Sequence, residues 1–128
     1  REVQRVGTLE DLCRGCDYLT VHVPSKADTI GMISTEQIDL LAPDAVFIGG
    51  TKGGMEGVLD AVSGKNPAAR VCISAIALET LSSAVAALTT RGWTAEVTQV
   101  SVSRTRPAGR LHLLTANNPI FLITGIKP

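Results

Sequence analysis

The chain has 128 residues, 45% of them hydrophobic, which suits one α/β domain over 1–128 able to bury about two-thirds of the surface its unfolded form exposes. Its twelve basic and twelve acidic residues cancel, so no broad field recommends nucleic acid or a membrane surface as a partner. No apolar run approaches a membrane span and Arg1-Glu2-Val3-Gln4 is not a signal peptide, so the expected location is cytoplasmic.

Val3 to Val6 is a short strand candidate. Thr8 and Asp11 form a capping pair for a helix from about Leu9 to Gly15. Tyr18 to Val23 alternates as a strand, with Leu19, Val21 and Val23 on one face, and Pro24 stops it. Ser34-x-x-Gln37 caps a helix reaching Leu41, with Ile38 and Leu41 on its buried side. After Pro43-Asp44, the apolar run Ala45-Val46-Phe47-Ile48 reads as a strand buried on both faces and ends in Gly49-Gly50. Phe47 is therefore expected in a central strand, where Phe47→Ala costs about 3–5 kcal/mol.

Met55, Val58, Leu59 and Val62 recur at helical spacing until Gly64. Arg70 to Ile76 is a further strand, and it leads into a helix whose Leu78, Leu81, Val85 and Leu88 make one apolar stripe closed by Gly92. Glu96 to Ser103 and Ile120 to Ile126 read as an antiparallel pair joined by a polar loop.

Few residues carry chemistry. Cys13 and Cys16 form a C-x-x-C, but they fall at the end of their helix, by the negative pole of the dipole. A thiolate is disfavoured there, so structural cysteines are favoured over a redox pair or a metal site. Cys72 is a small core residue. His22 and His112 have no metal-ligand spacing with any Cys, Asp or Glu cluster. Ser101 and Ser103 lack a nearby base. Arg104, Arg106 and Arg110 cluster in the loop between the last two strands and read as solvated. The turn Gly49, Gly50, Thr51, Lys52, Gly53 and Gly54 feeds a helix N-terminus. It serves either as a tight turn or as a weak site for phosphate or sulfate.

Two family resemblances follow. Leu9-Glu10-Asp11-Leu12, Cys16 to Pro24 and Thr29-Ile30-Gly31-Met32-Ile33 resemble the nucleotide-binding domain of D-2-hydroxyacid dehydrogenases of the phosphoglycerate type. That resemblance implies His22, Val23 and Pro24 as remnants of an NAD pocket. It lacks the glycine motif, the ribose acid and the catalytic Arg, Glu and His, and Lys52 at the arginine's place has no planar fork. From Asp44 to Pro128 the chain resembles the decarboxylating precorrin methyltransferases of cobalamin synthesis. The matching stretches are Asp44 to Gly50, Ala77-Leu78-Glu79-Thr80, Gln99 to Arg104 and Asn118 to Gly125. It implies the later part of an S-adenosylmethionine-dependent fold, with a last strand inserted antiparallel and the arginine loop facing an acidic tetrapyrrole. The first glycine loop and ribose acid are missing.

Taken together, these readings predict an engineered chimera of residues 1–43 and 44–128, its start without Met trimmed or engineered. The expected fold is a Rossmann-like or flavodoxin-like three-layer sandwich, with a mostly parallel sheet and a C-terminal antiparallel pair. A flavodoxin-like order, with the first strand between the second and third, would cover both faces. The expectation is no native activity, no catalytic residue, no metal and no intact cofactor site. No cofactor or partner is required, and a predominantly monomeric protein forms a weak homodimer through an edge strand or the C-terminal hairpin. The alternative is an S-adenosylmethionine-dependent precorrin methyltransferase.

Overall fold

The computed structural model describes residues 5–16, 19, 32–41, 43–49 and 54–128. Two short helices come first. In α1 (Leu9–Gly15), Thr8 accepts the Asp11 N–H at 3.1 Å and its hydroxyl donates to the Asp11 carboxylate at 2.7 Å. In α2 (Thr35–Leu41), the Ser34 N–H and hydroxyl both donate to Gln37 Oε1, at 3.0 and 2.7 Å. Both starts follow the capping logic of the sequence, in which a side chain satisfies otherwise orphaned N–H groups.

The main sheet holds β1 (Ala45–Gly49), β2 (Arg70–Ala75), β3 (Thr94–Val100) and the last strand, β6 (Ile120–Ile126). Its order is β1-β2-β6-β3, with β1 parallel to β2 and β6 antiparallel to both its neighbours. The last strand is thus inserted, as the methyltransferase resemblance implies. The sheet is a mixed one, however, rather than mostly parallel, because β6 separates β2 from β3. The strand candidates at 3–6 and 18–23 lie largely outside the described residues. Arg5 and Val6 carry no strand, and the flavodoxin-like order falls in the undescribed part.

α3 (Met55–Lys65) follows β1, and α4 (Leu78–Thr90) follows β2. On one face of the sheet Ile48 stands opposite Ile73, Ile73 opposite Ile123, and Val71 opposite Gly125. These side chains form a continuous core with Met55, Leu59 and Val62 of α3 and Ala84, Ala87 and Leu88 of α4. The small alanines let α4 lie close, so the expected stripe is rotated: Leu78 is exposed and Leu81 and Val85 are only partly buried. α4 ends in a Schellman motif. Gly92, at φ +76°, donates to the Thr89 carbonyl at 3.0 Å, and the Trp93 N–H donates to the Leu88 carbonyl at 3.0 Å.

The opposite face carries Phe47, Cys72, Ser74, Leu122 and Thr124, exposed or half-buried. Among the described residues the helices pack on one face only, which gives two layers in place of the expected three. Phe47 is corrected accordingly. It is 67% exposed, because β1 ends the described sheet and places Phe47 on the side without helices. The large core cost predicted for Phe47→Ala does not apply.

The expected polar loop is also corrected. Residues 103–116 form a hairpin, β4 (Ser103–Ala108) and β5 (Leu111–Ala116), turning through Gly109 at φ +63° and Arg110. It is the continuation of the β3–β6 ribbon through a bulge. Val100 stands opposite Ile120 and Ser103 opposite Ala116, so two residues on one strand face three on the other. The Asn117 N–H still reaches the Val102 carbonyl at 2.9 Å, which leaves Ser101 against Asn118 and Pro119. No described helix is long and apolar enough to cross a membrane.

An ion-pair clasp ties α3 to the end of α4. Arg91 Nε donates to Asp60 at 2.7 Å, its Nη1 donates to the Ala87 carbonyl at 2.9 Å, and its Nη2 lies 3.8 Å from Glu56. The hydrogen bond from Arg91 holds the Asp60 carboxyl below its ordinary value of 3.8 and raises the guanidinium. A carboxyl lowered on folding contributes stability above its unfolded pKa and loses it as pH falls through the folded one. The stability gap between the native chain and Asp60→Asn is therefore expected to be full at neutral pH and to close only in acid. Urea midpoints measured from pH 7 downward check this; a gap that stays constant into strong acid contradicts it.

Candidate functional site

In open α/β sheets, ligands bind beyond the carboxyl ends of the parallel strands. Here β1, β2 and β3 point the same way, so Gly49, Ala75 and Val100 end at one edge. Gly49 leaves a bare patch of backbone there. A Cβ built on it would meet Ser74 Oγ at 3.1 Å and the Phe47 ring at 3.4 Å, so the recess is walled by a hydroxyl and an aromatic edge. α3 and α4 both begin at this edge, from Gly54 and Ala77, and neither start has a side-chain cap bond. Their first N–H groups bring two positive helix ends to this edge, on the face of the sheet opposite the recess. Ile76 and Leu78 add exposed apolar surface between β2 and α4.

The hairpin rises from the same edge, because β4 continues β3. Arg104 and Arg106 on β4 share a face with Leu111 and Leu113 of β5, while Arg110 sits at the tip. Of the expected anion loop, only Gly49 and Gly54 are described. Gly50, Thr51, Lys52 and Gly53 lie outside the described residues, as do His22, Val23 and Pro24. His112 lies exposed on β5. Reading the sequence alone missed Ser74 and Phe47 as walls of the recess; the signal for them was the Gly49-Gly50 end of β1, read only as a turn.

The C-x-x-C stands apart from this edge. Cys13 is buried in the last turn of α1 and Cys16 is the residue after it. Burial, and then the nearby Cys16 and Glu10, push the Cys13 thiol above its ordinary value. A raised thiol is a poor nucleophile at neutral pH, as expected for a structural cysteine. A groove of about 500 Å³ between α3 and α4 is lined by Glu56, Asp60, Ser83 and Arg91 among others. Its charges are those of the clasp, so its chemistry is already spent within the fold.

For S-adenosylmethionine the described residues fit in part. The open glycine end of β1 and the uncapped helix starts share one edge of the sheet, but no acid for the ribose and no first glycine loop is present among them. No step of methyl transfer is derived from them.

A sequence profile of the precorrin methyltransferase domain matches residues 17–127. A probable cobalt-precorrin-6B C(15)-methyltransferase (decarboxylating) from Pyrobaculum calidifontis is 33% identical over 104 residues, covering 77% of this chain and 52% of that protein. A protein of the same description from Thermoplasma acidophilum is 29% identical over 120 residues, 92% of this chain and 55% of that protein. The crystal structure of a precorrin-6y C5,15-methyltransferase from Geobacter metallireducens superposes with a TM-score of 0.62 at 35% identity, over 68% of this chain and 45% of that one. The chain spans about half the length of the curated relatives it matches.

These findings overturn the inert chimera. The profile match spans Pro43-Asp44, and described residues on both sides of it share contacts. Asn66 Nδ2 donates to the Pro43 carbonyl at 3.1 Å and to Asp44 Oδ1 at 3.3 Å, and Ile38 of α2 shares the core with Ile48 and Met55. The dehydrogenase likeness is a partial one: 34% identity over 53 residues, 41% of this chain but 10% of a D-3-phosphoglycerate dehydrogenase from Methanocaldococcus jannaschii. The expectations of no enzyme and no cofactor fall with the chimera, since the relatives are methyltransferases and the family uses S-adenosylmethionine. A single profile across 17–127, over a sheet with its last strand inserted antiparallel, leaves one conclusion: the chain belongs to the precorrin methyltransferase domain family.

Proposed function

We propose that this chain acts as one α/β unit within an S-adenosylmethionine-dependent precorrin methyltransferase of cobalamin synthesis. The observation that carries the reading is the convergence at one sheet edge of the bare Gly49 end, two uncapped helix starts and the base of the arginine hairpin. S-adenosylmethionine, when bound, supplies the methyl group. The backbone at Gly49 leaves room for a cofactor to lie against β1, beside the Ser74 hydroxyl and the Phe47 ring. The α3 start at Gly54 favours an anionic group, such as the cofactor's carboxylate or a phosphate, through its uncapped N–H groups. Arg104, Arg106 and Arg110 are placed for carboxylates of an acidic tetrapyrrole, which guanidinium groups grip in bidentate fashion.

S-adenosylhomocysteine is expected to raise the melting midpoint of the chain saturably, and NADH to leave it unchanged. At ten times the dissociation constant, binding to the folded state alone adds about 1.4 kcal/mol, a shift of several degrees for a domain of this size. Gly49→Val fills the recess and is expected to remove the response. A shift with NADH, or none with S-adenosylhomocysteine up to its solubility limit, would overturn the reading.

A further inference from the structure

We propose that Ile76, Ile120, Val100 and Val102 form an apolar shelf that holds the ring face of the substrate, an amphipathic polycarboxylate macrocycle, while Arg104 and Arg106 take its carboxylates. The shelf belongs to the sheet edge assigned above to methyl transfer and rests on that reading.

The strand registers place these side chains in one line. Val100 stands opposite Ile120, on the face that carries Phe47 and Ser74. Ala75 pairs with Phe121, so one step further along β2 Ile76 comes level with Ile120. Val102 follows Val100 at the two-residue step that returns a strand's side chains to the same face, and Arg104 and Arg106 follow in turn. The alternation survives the bulge because the extra residue lies on the returning strand, between Ala116 and Ile120. The line therefore starts beside the Gly49 recess and crosses β2, β6 and β3, apolar at first and basic at its end.

Ile76 is 68% exposed, Val102 41% and Ile120 37%, with Val100 half-buried. Ala77, next to Ile76, is the N-cap of α4 and makes no side-chain cap bond, where Ser, Thr, Asp or Asn would stabilise the helix. The turn thus gives up both polarity and a cap at the strand end where ligands of open α/β sheets bind. A contiguous apolar row in such a place marks a binding surface. From β2 to β3 it is about 10 Å wide at ordinary strand spacing, which suits a ring system better than a single aliphatic chain. Four aliphatic side chains fall short of the roughly 800 Å² per partner that a stable protein interface buries, so a small amphipathic ligand fits them better than a protein. Basic groups at one end only set its direction, with the ring on the shelf and carboxylates toward the hairpin.

Uroporphyrin, a fluorescent polycarboxylate macrocycle, is the probe, titrated into the full chain by anisotropy. Ile76→Ser and Val102→Ser should each weaken binding about tenfold and leave its salt dependence unchanged, whereas Arg104→Gln should flatten the salt dependence. Val97→Ser should stay within about twofold, since Val97 is 44% exposed but stands opposite Ile123 on the helix side of the sheet. Benzenehexacarboxylate, with the same kind of charge on a small ring, should compete poorly. Full binding by the serine variants at Ile76 and Val102, an equal loss in Val97→Ser, a salt slope that Arg104→Gln leaves untouched, or benzenehexacarboxylate competing as well as uroporphyrin would each overturn the shelf. So would an Ile76→Ser chain that sediments as a smaller species than the native one, which would assign the row to a second copy. S-adenosylhomocysteine separates this failure from that of the methyltransferase reading. If it still raises the melting midpoint of a chain whose uroporphyrin binding ignores Ile76, the shelf alone falls; a chain that answers to neither ligand removes both.

Discussion

Gly125→Val is expected to destabilise the fold by about 3 kcal/mol, at the upper end of what overpacking a filled core costs. A Cβ at this position would lie 2.6 Å from Leu88 Cδ2 and 2.9 Å from Trp93 Cε3. Leu88 is fully enclosed and the indole is nearly so, so neither has solvent to move into. The glycine is what lets α4 and Trp93 close over β6. Leu88→Ala alone should cost about 2–5 kcal/mol through the cavity it leaves. In the double variant the new side chain enters that cavity, so the two costs should fall well short of additive. Urea midpoints for the four chains decide it; strict additivity would show that Gly125 does not meet Leu88.

Ile38→Ala should cost about 2–4 kcal/mol, the range for a buried isoleucine truncated to alanine. Ile38 is the side chain of α2 that enters the core formed by Ile48, Met55 and Leu59. Its loss therefore reports whether the stretch before Pro43 and the strands after it fold together. Phe47→Ala is the matching control, because its larger ring sits on the uncovered face and should register below about 1 kcal/mol. If Ile38→Ala proved as mild as Phe47→Ala, α2 would be an appendage instead of part of the core.

Much of this fold is legible where a local rule acts alone. The capping pairs at Thr8 and Ser34 and the terminator at Gly92 depend on a few neighbouring atoms, and each sits where those atoms require. Phe47 was illegible for a definite reason. Every residue from Ala45 to Ile48 is apolar, so alternation carries no information about which face the helices cover. The hairpin hid behind Arg104, Arg106 and Pro107, which break the apolar alternation that marks a strand, although Leu111 and Leu113 held it on the return. At the candidate site, Gly49 was visible as a glycine but its walls were not, since Ser74 joins it only through the β1–β2 register. The segment before Pro43 is short, and its likeness to a dehydrogenase covers only 10% of that protein. The hydrogen bonds of Asn66 to Pro43 and Asp44 depend on contacts distant in sequence.

The bulge at Ser101 against Asn118 and Pro119 makes the hairpin's aim a matter of length before chemistry. Because one strand carries a single extra residue there, the side chains of that strand change sides on passing from the main sheet into the ribbon. Substitutions at the tip around Gly109 and Arg110 alter what the hairpin presents. A deletion of Asn118 would instead restore one continuous register from Thr94 to Ala108, turning the arginine row of β4 to another bearing relative to the glycine recess. Related chains that keep this geometry should therefore vary freely in the hairpin's sequence and even in its reach, yet hold the count between β5 and β6 fixed.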